Sequence, residues 1–366
     1  MEGLAVTPNF WLGKRIFLTG HTGFKGTWLS LWLQHLGAEV TGFALKSSTN
    51  SSVFNLTSAE TGMTSVIGDI RNLADLSNAL AQSRADVVIH MAAQPLVLES
   101  YKNPIETYSS NIIGTVNLLE AVRNCHSVRA VVNVTTDKCY ENKEWLWGYR
   151  ENDTLGGYDP YSTSKACSEL ITSSYRSSFF NAEAFSKHHV ALASARAGNV
   201  IGGGDGSKDR LVPDIIEALL KSKPATIRNP HAIRPWQHVL EPLNGYLTLA
   251  ERLFTNGTPY AEAWNFGPSF EDAKPVSWIA DKITSIWGNG ARWIAQSQVQ
   301  SHEANYLTLD TSKAKSKLNW RPRLNLEQAL DLVVDWNKCV LNGDDVRKVT
   351  LSQIKNYQNS VSCEKE

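Results

Sequence analysis

The chain of 366 residues lacks the features that would mark a membrane, secreted or nucleic-acid-binding protein. No apolar run approaches the roughly 20 residues that span a bilayer, and residues 1–15 lack the basic start and apolar core of a secretory signal. Basic and acidic residues balance at 36 each, so charge gives no reason to expect nucleic acid. The five cysteines are scattered, without disulfide or zinc-site spacing. We therefore expect a cytoplasmic protein without a metal, a membrane partner or a nucleic-acid partner.

Short β-branched runs alternate with helical periodicity through the first half of the chain. The strand candidates are residues 14–19, 39–44, 64–67, 86–90, 130–134 and 189–195. Strands separated by helices pair in parallel, with helices on both faces of the sheet. We predict an α/β fold, with a doubly wound parallel Rossmann sheet in residues 1–195 and a smaller mixed α/β domain in residues 196–366 that mainly binds substrate. The polar tail, residues 348–366, is predicted to be loosely ordered.

A glycine loop joins the first strand to the first helix. Its glycines allow a tight turn and a close approach of the backbone to a pyrophosphate, which would lie at the helix N-terminus. A glycine spacing alone is weak, because a simple turn has the same composition, but the strand–loop–helix context favours a dinucleotide. The predicted contacts are Gly20, Thr22, Gly23, Phe24, Lys25 and Gly26.

Further cofactor contacts are predicted at the ends of the next strands. The second strand ends without the carboxylate that would bind an adenosine ribose, and Lys46 follows, which leaves NAD and NADP open. Asp69 either accepts from the adenine amino group or caps the helix that begins near Asn72. Asn111, inside a long helix predicted over residues 103–123, is interpreted as structural. The predicted cofactor contacts beyond the glycine loop are Asp69, Ile70, Ala92, Ala93, Gln94, Thr135, Tyr161 and Lys165.

The strand at residues 130–134 leads directly into Thr136, Asp137 and Lys138. Ligands of open parallel sheets lie beyond the carboxyl ends of the strands. We therefore predict that a hydroxyl, a carboxylate and an amine enter the cleft together, as hydrogen-bond donor, acid and base.

Tyr161 and Lys165 lie four residues apart on a predicted helix that begins at Asp159-Pro160. Residues at this spacing share a helical face. A tyrosine with its ordinary pKa of about 10 is a poor base at neutral pH, but a neighbouring ammonium favours the phenolate. Such a pair is common and usually without function; the glycine loop and the strand ending in Thr135-Thr136 give it weight as a general base.

Candidate substrate residues fall in the second half of the chain. A long glycine-rich turn at residues 196–205 is expected to pass close to a ligand. Arginines in loops suit phosphate, and a neighbouring indole suits stacking on a base, although solvated surface arginines are the alternative. The predicted substrate contacts are Arg196, Asn199, Arg210, Leu211, Arg234, Trp236, Gln237 and His238.

Residues 13–340 resemble the extended short-chain dehydrogenase/reductase family. The motifs that carry the resemblance are Gly20-x-x-Gly23-x-x-Gly26, His90-Met-Ala-Ala93, Asn111, Tyr161-x-x-x-Lys165 and Trp320-x-Pro322. Thr136-Asp137 is similar to the nucleotide-sugar 4,6-dehydratases within that family. Lys138 stands where dTDP- and GDP-sugar members carry Glu, and it resembles the members that act on CDP-glucose, as do the longer strings around Arg196, Arg210 and Arg234.

The resemblance implies a tightly held NAD, a homodimer or homotetramer, and conversion of CDP-glucose to CDP-4-keto-6-deoxyglucose and water. It implies that Thr136, Tyr161 and Lys165 serve C4 oxidation. It further implies that Lys138, with a depressed pKa, removes the C5 proton, and that protonated Asp137 assists loss of the 6-hydroxyl. Family products feed deoxysugars of bacterial surface polysaccharides such as lipopolysaccharide O-antigen. The alternatives are a 4-epimerase, a dehydratase of another nucleotide sugar, or a non-catalytic dinucleotide-binding protein.

Overall fold

The computed structural model describes residues 6–47, 51–296 and 306–360. The strands are β1 Arg15–Thr19, β2 Glu39–Ala44, β3 Thr64–Ile67, β4 Val87–His90, β5 Ala130–Val134, β6 Ala191–Ala197, β7 Asn199–Ile201, β8 Ala225–Ile227, β9 Ile233–His238, β10 Ala263–Phe266, β11 Ala273–Pro275 and β12 Trp293–Ala295. The helices are α1 Pro8–Trp11, α2 Phe24–His35, α3 Val53–Leu56, α4 Leu73–Ser83, α5 Val97–Lys102, α6 Pro104–Tyr108, α7 Gly114–Arg123, α8 Pro160–Ser178, α9 Phe185–His188, α10 Leu211–Leu220, α11 Leu240–Asn256, α12 Val276–Trp287, α13 Leu326–Asn342 and α14 Val346–Asn359.

A seven-stranded parallel sheet forms the centre of the molecule, in the order β3-β2-β1-β4-β5-β6-β10. The first three strands are added toward one edge of the sheet and the later ones toward the other edge, so the order of addition reverses between β1 and β4. Ligands bind at such a switch point, beyond the carboxyl ends of the strands. The predicted doubly wound Rossmann sheet is confirmed.

Alternate residues of each central strand point to opposite faces of this sheet, and both faces are buried. Ile16 and Val132 pack with α2 and α11 in one core, whereas Phe17 and Val131 pack with α4 and α7 in another. Burial on both faces explains why these strands are continuous apolar runs instead of alternating ones. Such a sheet holds its strand ends in fixed positions, which is what a catalytic site needs.

The second part of the chain builds two small sheets, β11-β9-β7 and β12-β8, around a separate apolar core that includes Ile215, Ile279 and Leu330. A smaller mixed α/β unit is therefore present as predicted. The division at residue 195 is incomplete, however, because α11 packs on the large sheet and β10 forms its edge beside β6. Among the described residues, no helix is long and apolar enough to cross a membrane.

Several local predictions differ from the structure. The helix predicted over residues 103–123 contains a π-helical turn at Ser109–Ile113. The tail predicted to be loosely ordered forms α14 as far as Asn359, where Tyr357 is buried against Trp32 of α2; residues 361–366 lie outside the described part. The glycine turn packs against protein, because a Cβ added at Gly203 would lie 2.0 Å from Cγ of Trp336.

Candidate active site

The glycine loop follows β1 and leads into the first turn of α2. Gly20 has a φ of +79°, and a Cβ added there would lie 2.8 Å from the backbone nitrogen of Ala92. A Cβ at Gly26 would lie 2.0 Å from the carbonyl oxygen of Gly20. The loop therefore makes the tight turn that a dinucleotide-binding loop requires. It leads into the N-terminus of α2, whose free backbone N–H groups suit a pyrophosphate.

Two side chains of this loop bond the neighbouring strands, Thr22 just beyond the end of β2 and His21 in β3. Thr22 Oγ1 donates to the carbonyl oxygen of Leu45 at 2.9 Å. His21 Nε2 lies 2.8 Å from Ser65 Oγ, and burial lowers the pKa of His21 to about 4, so its ring is neutral at pH 7. Gly42 makes room for that ring, since a Cβ there would lie 2.3 Å from Cγ of His21.

Asp69 lies at the end of β3 and pairs with Arg71. The Arg71 guanidinium donates to it from Nε at 2.9 Å, and Arg71 also bonds Glu106 at 2.7 Å. The capping alternative for Asp69 is wrong, because Asn72 itself caps α4 by accepting from the backbone N–H groups of the first turn. The Asp69 carboxylate stays partly exposed, and its contact with adenine stays a prediction.

Asn111 lies in the π-helical turn and fixes the segment after β4. Its Oδ1 accepts from the backbone N–H of Gln94 at 2.8 Å, and its Nδ2 donates to the Gln94 carbonyl at 3.0 Å and to Ser164 Oγ at 2.8 Å. These bonds clamp the Ala92–Gln94 segment between two helices. The structural interpretation of Asn111 is confirmed.

Thr136, Asp137 and Lys138 emerge from β5 as predicted. Thr136 Oγ1 donates to Asp137 Oδ1 at 3.0 Å, and the Asp137 carboxylate is only 1% exposed. Lys138 Nζ lies 3.7 Å from Asp137 Oδ1 and donates to Asn199 Oδ1 at 3.3 Å. Asn199 begins β7, so this cluster joins the large sheet to the second part of the chain.

Tyr161 and Lys165 lie on one face of α8, whose N-cap is Asp159. Burial raises the pKa of Tyr161 to about 12, although its hydrogen bond with Thr136 acts in the opposite direction. Burial lowers the pKa of Lys165 to about 8, an effect that the carboxylate of Glu169 partly offsets. Lys165 Nζ donates to the Val134 carbonyl at 3.3 Å, so α8 holds the amine against the end of β5.

Cations gather around this cleft. Arg210 lies 3.3 Å from Asp205 and reaches the Pro95 carbonyl at 3.5 Å, and its charge acts on both Tyr161 and Lys25. Burial lowers the pKa of Lys25 to about 7, and the charges of Lys165 and Arg210 lower it further. Such a cleft suits the phosphates of a dinucleotide and of a nucleotide sugar. Leu211 follows Arg210 at the start of α10, and the ligand contacts predicted for both residues stay predictions.

The side chains of Arg196, Trp236, Gln237 and His238 are buried inside strands, and their predicted substrate contacts stay predictions. Trp236 packs in the second core, and Gln237 donates to the Phe266 carbonyl at 2.9 Å. His238 packs edge-on against Trp28, and burial lowers the pKa of His238 to about 3. Arg234 comes earlier in β9 and is only partly buried, so its predicted phosphate contact stays a prediction.

Arg196 forms a buried ion pair with Glu169, at 2.8 Å. Glu169 also accepts from Thr135 Oγ1 and, at 2.7 Å, from Ser194 Oγ. Sequence reasoning missed Glu169, although its position four residues after Lys165 places it on the same face of α8. The pair fixes α8 against β5 and β6, and so helps to position the site.

The described residues contain no cluster of side chains that could hold a metal ion. A model of the GDP-mannose 4,6 dehydratase family matches residues 17–333. CDP-glucose 4,6-dehydratase of Salmonella typhimurium is 52% identical over 357 residues, which cover 98% of this chain and 99% of that one. dTDP-glucose 4,6-dehydratase of Streptomyces antibioticus is 26% identical over 88% of this chain and 91% of its own.

Solved structures show the same fold at low identity. UDP-glucose 4-epimerase from Thermotoga maritima, with UDP-glucose, has a TM-score of 0.78 at 22% identity and covers 89% of this chain and 99% of that one. dTDP-glucose 4,6-dehydratase from Bacillus anthracis, in complex with NAD, has a TM-score of 0.72 at 22% identity, covering 89% and 97%.

Proposed function

The chain belongs to the GDP-mannose 4,6-dehydratase family, and we propose that it converts CDP-glucose to CDP-4-keto-6-deoxyglucose and water, with NAD as cofactor. The observation that carries this proposal is the 52% identity, over 98% of the chain, with a CDP-glucose 4,6-dehydratase. The site supports it, because one cleft brings together Tyr161, Lys165 and Thr136 for oxidation and Asp137 and Lys138 for elimination.

NAD fits the residues present. The glycine loop, the N-terminus of α2 and the small Ala92 would hold its pyrophosphate, and Lys165 would face its nicotinamide ribose. When bound, NAD accepts a hydride from the sugar C4 and returns it to C6. The end of β2 carries no carboxylate to select against a 2′-phosphate, and the choice of NAD is supported by the NAD complexes among structural neighbours.

C4 oxidation requires a base for the 4-hydroxyl proton, and Tyr161 is the base in this proposal. Because burial raises the pKa of this phenol to about 12, it needs positive charge close by. The charge of Arg210 lowers the pKa of this phenol. Lys165 lies on the same face of α8, and its own pKa of about 8 keeps it largely protonated at neutral pH. The hydroxyl of Thr136 also lowers the pKa of the phenol, and Thr136 is the third residue proposed for this step.

Elimination requires a base for the C5 proton and an acid for the departing 6-hydroxyl. Lys138 and Asp137 supply these groups from adjacent positions, with Nζ and Oδ1 3.7 Å apart. The new 4-ketone acidifies the C5 proton, Lys138 takes it, and Asp137 protonates the leaving oxygen. Lys138 then returns a proton to C5 as C6 is reduced, so the sequence closes without net redox change.

A panel of CDP-, UDP-, dTDP- and GDP-glucose tests the reaction and the base together. Each nucleotide sugar is incubated with the protein and NAD, and the product mass is measured. Loss of one water from CDP-glucose, with slower reaction of the others, is the expected result. An unchanged mass with inversion at C4 would identify an epimerase, and no reaction with any member would mean that the proposed activity is wrong.

A homo-oligomer, either dimer or tetramer, is proposed from an exposed apolar face. Ile105 of α6, Ile113 of the π-helical turn and Leu170 of α8 are exposed on neighbouring helices. Changing Ile105 and Leu170 together to Asp is expected to yield a monomer in light scattering after gel filtration. Leu341→Asp, an equally exposed leucine on α13, is the matched control and should leave the assembly intact.

A cytoplasmic location stays the prediction made from cysteine usage.

A further inference from the structure

Asn199 lies beside the amine that is proposed to remove the C5 proton. Lys138 Nζ donates to Asn199 Oδ1 at 3.3 Å and lies 3.7 Å from Asp137 Oδ1. The two acceptors come from different parts of the fold, because Asp137 follows β5 and Asn199 begins β7. The position of this amine therefore depends on a side chain that takes no part in the proposed proton transfers.

The backbone before Asn199 is packed closely against the end of β5. Gly198 leaves room for the carboxylate there, since an added Cβ would lie 3.3 Å from Asp137 Oδ2. Asn199 is paired in register with Trp236 of β9, so its backbone is held by a neighbouring strand. This pairing fixes where the carboxamide lies relative to Lys138.

The carboxamide presents its oxygen to the amine, because an ammonium can only donate hydrogen bonds. Of its three N–H groups, one is accepted by Asn199 Oδ1, and Asp137 Oδ1 lies within ion-pair distance. In the neutral amine, two N–H groups can keep these two acceptors while the lone pair occupies the remaining position. Two fixed acceptors thus orient the lone pair that takes the C5 proton.

The charge of these acceptors matters, since a lysine acts as a base only when it is uncharged. Among the described residues, Asp137 is the charged group within ion-pair distance of Lys138. A second carboxylate in the place of Asn199 would favour the ammonium over the amine. A carboxamide holds the nitrogen through a similar oxygen atom without adding that charge.

The amine has access to solvent, whereas the carboxylate beside it does not. The Lys138 side chain is 31% exposed and the Asp137 side chain is 1% exposed. A base that reaches water can lose its proton to solvent before the reaction and exchange the proton that it takes from C5. Hydrogen exchange between C5 and solvent is therefore a direct measure of this amine.

We propose that Asn199 is a positioning residue for elimination, which holds the Lys138 amine as a neutral acceptor and so leaves it free to act as the base. The proposal rests on the proposed function. The C5 proton moves to the Nζ lone pair, and the C5–H electron pair delocalises into the 4-ketone as an enolate. Asn199 neither gains nor loses a proton. C4 oxidation comes earlier and uses Tyr161, so it should not depend on Asn199.

A substrate analogue without a 6-hydroxyl separates the two steps. CDP-6-deoxyglucose can be oxidised at C4 and can then lose its C5 proton, but it has no 6-hydroxyl to eliminate. In deuterated water, mass spectrometry of the recovered sugar measures deuterium at C5, and absorbance measures the NADH formed on the protein. The ratio of the two rates, recorded from about pH 6 to about pH 10, isolates the action of the base.

Asn199→Asp keeps the shape of the side chain and adds one negative charge. The pH at which C5 exchange is half-maximal should rise by about 1–3 units, because the carboxylate stabilises the ammonium. NADH formation should stay within about twofold of wild type. Asn199→Leu removes the acceptor without adding charge, and it should slow C5 exchange roughly 10²-fold without raising this midpoint.

The control for the added charge is Asn289→Asp, at an exposed asparagine that follows α12, which should leave the pH profile unchanged. Ionisable groups of the cleft are unaltered in all of these variants, so a shift in the midpoint reports the charge at residue 199. Those groups are Asp137 beside the amine, Tyr161 and Lys165 on α8, which packs against the same turn, and Lys25 and Arg210 across the cleft.

An unshifted midpoint in Asn199→Asp, or an equal loss of NADH formation and C5 exchange in both Asn199 variants, would overturn the positioning role. A raised KM for CDP-glucose with normal C5 exchange would also overturn it, and would make Asn199 a substrate contact. If the wild type forms no keto sugar from any nucleotide-glucose, the proposed function fails as well, whereas normal wild-type turnover with any of the other results removes the role of Asn199 alone. Melting curves of each variant identify any loss of folded protein.

Discussion

Strands β5 and β9 each lead the chain through a run of polar residues, but the two runs lie in different surroundings. In β5 the polar residues come after Val134, where the strand has ended and the chain turns into the cleft. In β9 they stand inside the strand, at Trp236, Gln237 and His238, and α11 begins almost immediately afterwards. A residue beyond the end of a parallel strand can face a ligand, whereas a residue within it must face a packed layer. Position relative to the strand end therefore matters more than residue type.

Lys138→Ala is expected to give the largest effect, because it removes the proposed base just beyond β5. Product formation should fall by roughly 10²–10⁴-fold, while C4 oxidation continues and bound NADH accumulates. Hydrogen exchange at C5, followed by mass spectrometry in deuterated water, should cease. Lys143→Ala changes an exposed lysine of the same loop and should be neutral. Normal exchange at C5 in Lys138→Ala would remove this residue as the base.

Trp236→Ala tests the opposite environment. Because this indole is buried in the second core, its removal should lower the free energy of unfolding by about 3–5 kcal/mol. The KM for CDP-glucose of the folded fraction should stay within about twofold of wild type, since a core residue adds no direct substrate contact. Urea denaturation and initial rates measure the two quantities. Trp147→Ala, at an exposed loop tip, is the control and should leave stability unchanged. A large rise in the KM of Trp236→Ala would support the predicted contact of this indole with the nucleotide base.

Glu241 comes after the end of β9, as Asp137 and Lys138 come after the end of β5, but its carboxyl group is buried in the core. It accepts from the backbone N–H groups of Arg323 and Leu324 and from the Tyr357 hydroxyl. Burial raises the pKa of Glu241 to about 7, so between pH 4.5 and 7 the folded protein holds a proton that the unfolded chain has lost. Stability from this group is therefore full below about pH 4.5 and is lost as the pH rises through 7, by about 3 kcal/mol at most. Glu241→Gln should flatten this part of the pH dependence in urea denaturation, and an unchanged profile would contradict the assignment.

Arg234→Ala should give the smallest effect. Arg234 lies near the start of β9 and is only partly buried, unlike the residues that follow it. If it binds a substrate phosphate, its loss should raise the KM for CDP-glucose about tenfold and leave unfolding unchanged. Arg292→Ala, which alters an exposed arginine before β12, is the control. Equal KM values for the two variants would place Arg234 outside the phosphate site.

Sequence periodicity was enough to predict the parallel sheet, because strands buried on both faces must be apolar throughout. The bounds of β2 and β3 match the predicted ones. The error in the predicted end of β6 has a physical cause: the strand continues two residues further, because Glu169 neutralises Arg196 inside the sheet. An ion pair between residues distant in sequence leaves no local pattern.

Parts of the site whose geometry depends on local spacing could be predicted from the sequence. Contacts that depend on tertiary packing could not. Tyr161 and Lys165 share a face in any helix, so their approach follows from the sequence alone. The contact of Lys138 with Asn199 depends on how the second part of the chain docks on the sheet. The glycine turn packs against Trp336, and its predicted approach to a ligand stays a prediction, since glycine serves a close ligand and a close tryptophan equally well.

Strand β10 has a consequence for how this protein is made. It pairs Ala263 with Ser194 and so closes the edge of the sheet at β6 with residues synthesised much later. While the chain emerges from the ribosome, β6 presents an open row of backbone hydrogen-bonding groups, and such edges recruit other strands. A release or long pause in translation before residue 263 would leave that edge uncovered. The cofactor-binding sheet, although begun first, is completed only after most of the chain has been synthesised.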